Sequence, residues 1–191
     1  MSPDTPHMPM PESSLPVAAD FPYHRRVVGP GGTARLGEEA AGLLSGGEII
    51  LLFGDLGAGK TCFTQGLCRG LAVDQEVVSP TFTLVNTYRG RLVVHHLDFY
   101  RIEPGADLAD IGIPDILDQV ADGAAVAVVE WPALLARELG KDFPRLEMMA
   151  AIGPATDDRI WYLRGVPTVP EPWVDLFSDG DAPPFTGERS C

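Results

Sequence analysis

Two stretches of the chain are apolar without a break. Glu48-Ile-Ile-Leu-Leu-Phe53 reads as a buried strand that runs straight into glycines. Ala124-Ala-Val-Ala-Val-Val129 has the pattern of a strand covered on both faces. Phe82 to Tyr88 and Arg91 to Asp98 alternate apolar and polar positions instead, and the short link Arg89-Gly90 predicts a β-hairpin. The sheet is therefore expected to be mixed rather than all parallel. Tyr23 to Val28 reads as a short strand broken by Pro30-Gly-Gly32, and Leu146 to Ile152 and Arg159 to Arg164 as closing strands. Helical spacing predicts Ala34 to Leu44, with Thr33 as its cap and Leu36, Ala40, Leu43 and Leu44 on one side. Further helices are predicted over Thr61 to Leu71, over Asp107 to Val120 with an interruption at Pro114, and over Ala133 to Leu139, closed by Gly140. The order of elements predicts an α/β fold, a mixed parallel and antiparallel sheet flanked by helices.

Composition narrows this picture. The chain has 191 residues, 45% of them hydrophobic, enough for one domain with a real core. Residues 1–22 carry six prolines and no Lys or Arg, which predicts a disordered leader. From Val166 to the end, prolines and acids dominate, predicting an acidic tail without fixed structure, on which Trp173 and Phe177 are the residues able to pack back. The domain proper is then residues 23–165. A net charge of −13 argues against a direct, tight grip on nucleic acid, which needs clustered Lys and Arg. Cys62, Cys68 and Cys191 are odd in number and form no C-x-x-C pair, as expected in a reducing cytosol. With no basic region leading an apolar run, and no apolar stretch of the ~20 residues that cross a bilayer, a cytoplasmic protein away from membranes is expected.

The chemistry lies in GDLGAGKT, Gly54 to Thr61, which satisfies G-x-x-x-x-G-K-[ST] at every fixed position. It is flanked by a strand and a helix, the context that distinguishes a phosphate-binding P-loop from a glycine turn that binds nothing. Successive main-chain N–H groups and the positive end of the helix attract anionic oxygens. Lys60 can reach the β- and γ-phosphates, and the Thr61 hydroxyl can hold Mg²⁺. The fold expected is thus of the P-loop NTPase type.

Hydrolysis needs an acid near the metal and a group that places water. Glu130 follows the most buried strand and is the first choice for the acid beside Mg²⁺. Asp98, at the end of its own strand, is the second acid, either linked to the metal or orienting water. Ser79 and Thr81 form a hydroxyl-rich turn, read equally well as a switch following the γ-phosphate or as a plain turn. His95 and His96 point to opposite faces of the sheet, so they cannot share a metal and read as core or surface histidines. Trp131 either covers the nucleotide or fills core. Asp55 is expected to face away from the phosphates.

Taken together, GDLGAGKT, SPTFTLVNTY, HHLDFYR, IGIPD and VVEWP resemble, in order and spacing, the bacterial TsaE family (also called YjeE), over roughly Val27 to Arg164. The resemblance implies an ATPase, weak alone, that uses ATP and Mg²⁺. It implies work alongside the TsaB–TsaD pair, which makes threonylcarbamoyladenosine in tRNA, so that tRNA is met only through partners. It places the ATP loop at Leu56, Gly57, Ala58, Gly59, Lys60 and Thr61, the Mg²⁺ positions at Thr61 and Glu130, the D-x-Y-R acid at Asp98 and the base near Thr33. A small-molecule kinase is the rival, disfavoured by sparse arginines (Arg69, Arg89, Arg91, Arg101, Arg137) between Cys62 and Leu139. A nucleotide-gated binding module without turnover is the other. The absence of N-K-x-D, since Asn86 is followed by Thr87, and of D-x-x-G argues against a GTPase.

Overall fold

The computed structural model describes residues 16–103 and 105–178. Seven strands form one sheet: β1 (Tyr23–Val28), β2 (Ile49–Phe53), β3 (Val85–Arg89), β4 (Val93–Asp98), β5 (Ala125–Glu130), β6 (Arg145–Ile152) and β7 (Asp158–Val166). Their spatial order is β1-β7-β6-β2-β5-β4-β3. The central strands β6, β2, β5 and β4 run parallel, while β1, β7 and β3 join their neighbours antiparallel. The mixed sheet expected from the hydrophobic pattern is present, hairpin included. Every residue of β2 and β5 is buried, as uninterrupted apolar runs demand.

The helices are α1 (Gly29–Ala41), α2 (Lys60–Gly70), α3 (Ile113–Ala121), α4 (Ala133–Leu139) and α5 (Glu171–Leu176). One core lies between the sheet and the pair α1 and α2, built on Ile50, Leu52, Phe63, Leu67, Val126, Val128 and Trp161. The second lies on the opposite face, where α3 and α4 cover Leu51, Leu97, Phe99 and Val129. Helices α1 and α2 touch through backbone: a Cβ added at Gly66 would collide with the carbonyl oxygen of Ala34, and one at Gly37 with that of Phe63. This approach holds the P-loop helix in place.

Three expectations are corrected. Helix α1 starts at Gly29 and its cap is Val28, so Thr33 lies inside the helix and not at its cap. Pro30-Gly-Gly32 ends the strand but also opens the helix, because a first turn loses nothing to proline's missing N–H. The stretch before Ile113 is a series of turns, since Gly112 sits at φ 74°, where a right-handed helix cannot continue. Helix α3 then carries Pro114 in its first turn. Strand β3 starts only at Val85, because Leu84 takes φ 64° and its N–H bonds the Pro80 carbonyl at 2.7 Å in a turn.

Compositional boundaries at 22 and 165 fall inside the folded body. Phe21 is buried beside Ile160 and Tyr162, and α5 with the residue after it carries Trp173 and Phe177 into the core shared with α1. Residues 1–15 and 179–191, which hold most of the expected leader and the end of the tail, lie outside the described residues. Among the described residues no helix is long and apolar enough to cross a membrane.

Candidate active site at the P-loop

Strand β2 ends at Phe53, and the chain turns through Gly54, Gly57 and Gly59, all at positive φ (127°, 77° and 106°). Gly54 has no alternative: a Cβ there would strike the Ala150 carbonyl oxygen on β6. Gly59 caps α2 from the left-handed region, with the Thr33 methyl of α1 at 3.4 Å from where its Cβ would stand. By helix geometry the first amides of α2 lack intrahelical partners and point into the loop. Asp55, Leu56 and Gly57 are exposed and Ala58 is buried.

Lys60 opens the helix and is buried. Its ammonium donates to the carbonyl oxygens of Gly54 (2.7 Å) and Asp55 (2.9 Å). It also lies 4.0 Å from the centroid of the Trp131 ring, which in turn meets Tyr100 at 4.9 Å. Burial pushes the Lys60 pKa below its ordinary value, and the carboxylates of Glu130, Asp98 and Asp55 pull it back only in part. Trp131, with φ 55°, thus stands beside the P-loop lysine and also packs against the core on the α3–α4 face.

Glu130, the last residue of β5, receives the Thr61 hydroxyl at 2.8 Å on Oε1 and 3.1 Å on Oε2. Register places Asp98 opposite it at the end of β4. Asp98 is occupied differently: Oδ2 accepts from Ser79 (2.8 Å) and Thr81 (2.7 Å), and Oδ1 from the Tyr100 amide (2.9 Å). Ser79 and Thr81 are therefore tied to the site floor by an acid and are not free turn residues. Beside them Phe82 is exposed, with the Arg101 guanidinium 4.3 Å above its ring.

Sequence reasoning missed His96. It is wholly buried and its Nε2 lies 2.9 Å from Glu130 Oε1. The available signal was parity: His96 and Asp98 are two apart on β4 and share a face. His95 turns the other way, to Thr87 and to Gln119 of α3.

Among the described residues, no three His, Cys, Asp or Glu side chains are grouped to hold a metal by themselves. A Mg²⁺ ion bound with nucleotide takes one or two protein oxygens together with phosphate oxygens. Thr61 and Glu130, already within hydrogen-bond distance, are donors of the hard-oxygen type that this ion takes.

Comparison with known proteins fits this site. The model of the family described as threonylcarbamoyl adenosine biosynthesis protein TsaE matches residues 29–156, from the start of α1 to the β6–β7 turn. The chain belongs to the TsaE family. The tRNA threonylcarbamoyladenosine biosynthesis protein TsaE of Treponema pallidum is 44% identical over 107 residues, 56% of this chain and 76% of that protein. The TsaE protein of Bacillus subtilis is 37% identical over 134 residues, 70% of this chain and 78% of that one. The crystal structure of YdiB from Bacillus subtilis superposes with a TM-score of 0.60 at 29% identity, over 80% of this chain and 89% of that chain. Family membership implies a nucleotide-using role in threonylcarbamoyladenosine biosynthesis. The TsaE match covers residues 29–156, so it takes in α1 and the P-loop but not β1, β7 or α5.

Proposed function

We propose that this chain binds and hydrolyses ATP as the P-loop component of the cytoplasmic machinery that makes threonylcarbamoyladenosine in tRNA. It would act with the TsaB–TsaD pair to support repeated cycles. The observation that carries the reading is the 2.8 Å contact between the Thr61 hydroxyl and Glu130, two residues 69 positions apart that meet at the mouth of the loop.

In this reading Leu56, Gly57, Ala58, Gly59, Lys60 and Thr61 cradle the phosphates. The loop amides and the Lys60 ammonium offset their negative charge, and the Gly54 and Asp55 carbonyls hold that ammonium at the loop until phosphate oxygens compete for it. Thr61 and Glu130 would hold Mg²⁺, which when bound neutralises charge on the β- and γ-phosphates. Asp98 is the second catalytic acid, and its grip on Ser79 and Thr81 keeps their turn beside the reacting phosphate. Partner access to tRNA suits a protein with net charge −13, a poor binder of phosphate backbones on its own.

The kinase alternative needs arginines over the transferred group. Here Arg69 pairs with Glu38, and Arg91 donates to the Ala41 and Leu44 carbonyls at the end of α1. Those engagements favour water over a second substrate as acceptor. The test is calorimetry with Mg·ATP, then hydrolysis with and without the partner pair. Wild type should bind and turn over, faster with the pair. Glu130→Ala should keep nucleotide binding yet lose several kcal/mol of transition-state stabilisation, about a hundredfold or more in kcat. Equal kcat for the two proteins removes Glu130 from catalysis, and binding without any turnover leaves a nucleotide-gated binding module.

A further inference from the structure

We infer that His96 is a positioning residue for Glu130, and that it selects which carboxylate oxygen is left for the divalent cation. The inference rests on the reading of Glu130 as the acid beside Mg²⁺. His96 Nε2 faces Oε1 at 2.9 Å, and Thr61 Oγ1 reaches the same oxygen at 2.8 Å. A carboxylate offers only lone pairs, so Nε2 carries the hydrogen and donates it. His96 Nδ1 is buried with no hydrogen-bond partner among the described residues. Among the described residues the ring therefore makes its one side-chain hydrogen bond through Nε2, to Glu130.

Packing, not a second hydrogen bond, orients the ring. Tyr88 lies across from it at 6.4 Å between centroids. The Tyr88 hydroxyl is itself fixed, donating to the Val78 carbonyl and accepting from the Val78 amide, both at 3.1 Å. Two donors from different elements, helix α2 and strand β4, thus converge on Oε1. Oε2 has only the longer Thr61 contact, 3.1 Å, and is the oxygen His96 leaves free. Removing the imidazole N–H leaves the carboxylate held by the Thr61 hydroxyl alone, which reaches both oxygens, so Oε2 is less firmly the one turned to the cation. Partners that orient metal-binding groups typically contribute 10- to 100-fold in affinity or activity.

The test uses His96→Phe, which keeps the ring volume and drops the donor, and His96→Gln, whose amide restores an N–H near the same place. ATP binding is titrated calorimetrically with Mg²⁺ and in EDTA. His96→Phe should bind as wild type in EDTA, while its half-saturating Mg²⁺ rises about 10- to 100-fold. His96→Gln should recover most of that loss. In the wild-type protein, ¹⁵N spectra of labelled imidazole should find the hydrogen on Nε2, a readout that needs no variant to fold. Unchanged Mg²⁺ dependence in His96→Phe, an equal loss with and without Mg²⁺, or a hydrogen on Nδ1 overturns the inference. If wild type gains nothing from Mg²⁺, it is the assignment of Glu130 that fails, and this inference falls with it.

Discussion

Asp98 and Glu130 stand opposite each other in register at the ends of β4 and β5, yet they serve different partners. Glu130 is bonded to the P-loop helix through Thr61, and Asp98 to the Ser79–Thr81 turn. One pair of strand ends thereby ties two loops to a single floor. Hydroxyl bonds to a charged acceptor contribute about 1.5–3 kcal/mol each. Asp98→Asn, Thr81→Val and the double variant should show a coupling of 0.5 kcal/mol or more, within the usual ~0.5–3 kcal/mol for bonded neighbours. Denaturant unfolding of the four proteins measures it, and additive losses would separate the turn from the acid.

Lys60 gives a pH signature. Its pKa is lowered in the folded protein chiefly by burial, against an ordinary value of 10.5. A lysine with a depressed pKa binds its proton more weakly when folded, so the charged form costs stability at neutral pH. That cost is fully present below the folded-state pKa and disappears as pH rises through it toward 10.5. Lys60→Met should therefore be at its most stable relative to wild type near neutral pH. The gap should narrow in alkaline buffer, as urea midpoints measured across that range will show. The same variant should lose ATP binding.

The α1–α2 contact has no room for a side chain. Gly66→Ala places a methyl against the Ala34 carbonyl, and the helices must part. Overpacking of this kind costs about 1–3 kcal/mol. At ~2–4 °C per kcal/mol for a chain of this size, the melting temperature should drop by several degrees. Gly57→Ala meets no atom within 4 Å, so its effect is confined to backbone strain at positive φ and is the control.

Glu147 is buried on β6 between Arg145, at 2.6 Å, and Arg164, at 2.8 Å from Nε. Removing one partner of a buried ion pair leaves an uncompensated charge, at a cost of about 3–5 kcal/mol. Glu147→Ala should unfold at markedly lower denaturant concentration than wild type. The pair Arg26–Asp158 is the comparison, because Arg26 is half exposed and its loss should cost less.

Much of the site was legible along the chain because its chemistry is local. The P-loop fits within eight residues, and the strand before it and helix after it follow from short-range apolar pattern. Trp131 was ambiguous because an aromatic after a strand serves equally as core or lid. The tertiary structure gives it both kinds of neighbour, the Lys60 ammonium 4.0 Å from its ring and the core on the α3–α4 face. Thr33 was misplaced because Pro30-Gly-Gly32 carries the same residues as a break and as a helix start. His96 was overlooked because parity puts it on the face of Asp98 but not within reach of Glu130, which lies on a different strand 34 residues away.

By itself the sequence determined where the P-loop motif lies, where helices and strands alternate, and that the sheet mixes parallel and antiparallel strands. The tertiary structure alone decided that Thr61 meets Glu130, that Asp98 meets Ser79 and Thr81, and that His96 stands behind the acid. Those meetings depend on β5 lying between β2 and β4 in one register. Strand order comes from burying whole faces of the sheet at once, a property of the folded chain that no short window of residues contains.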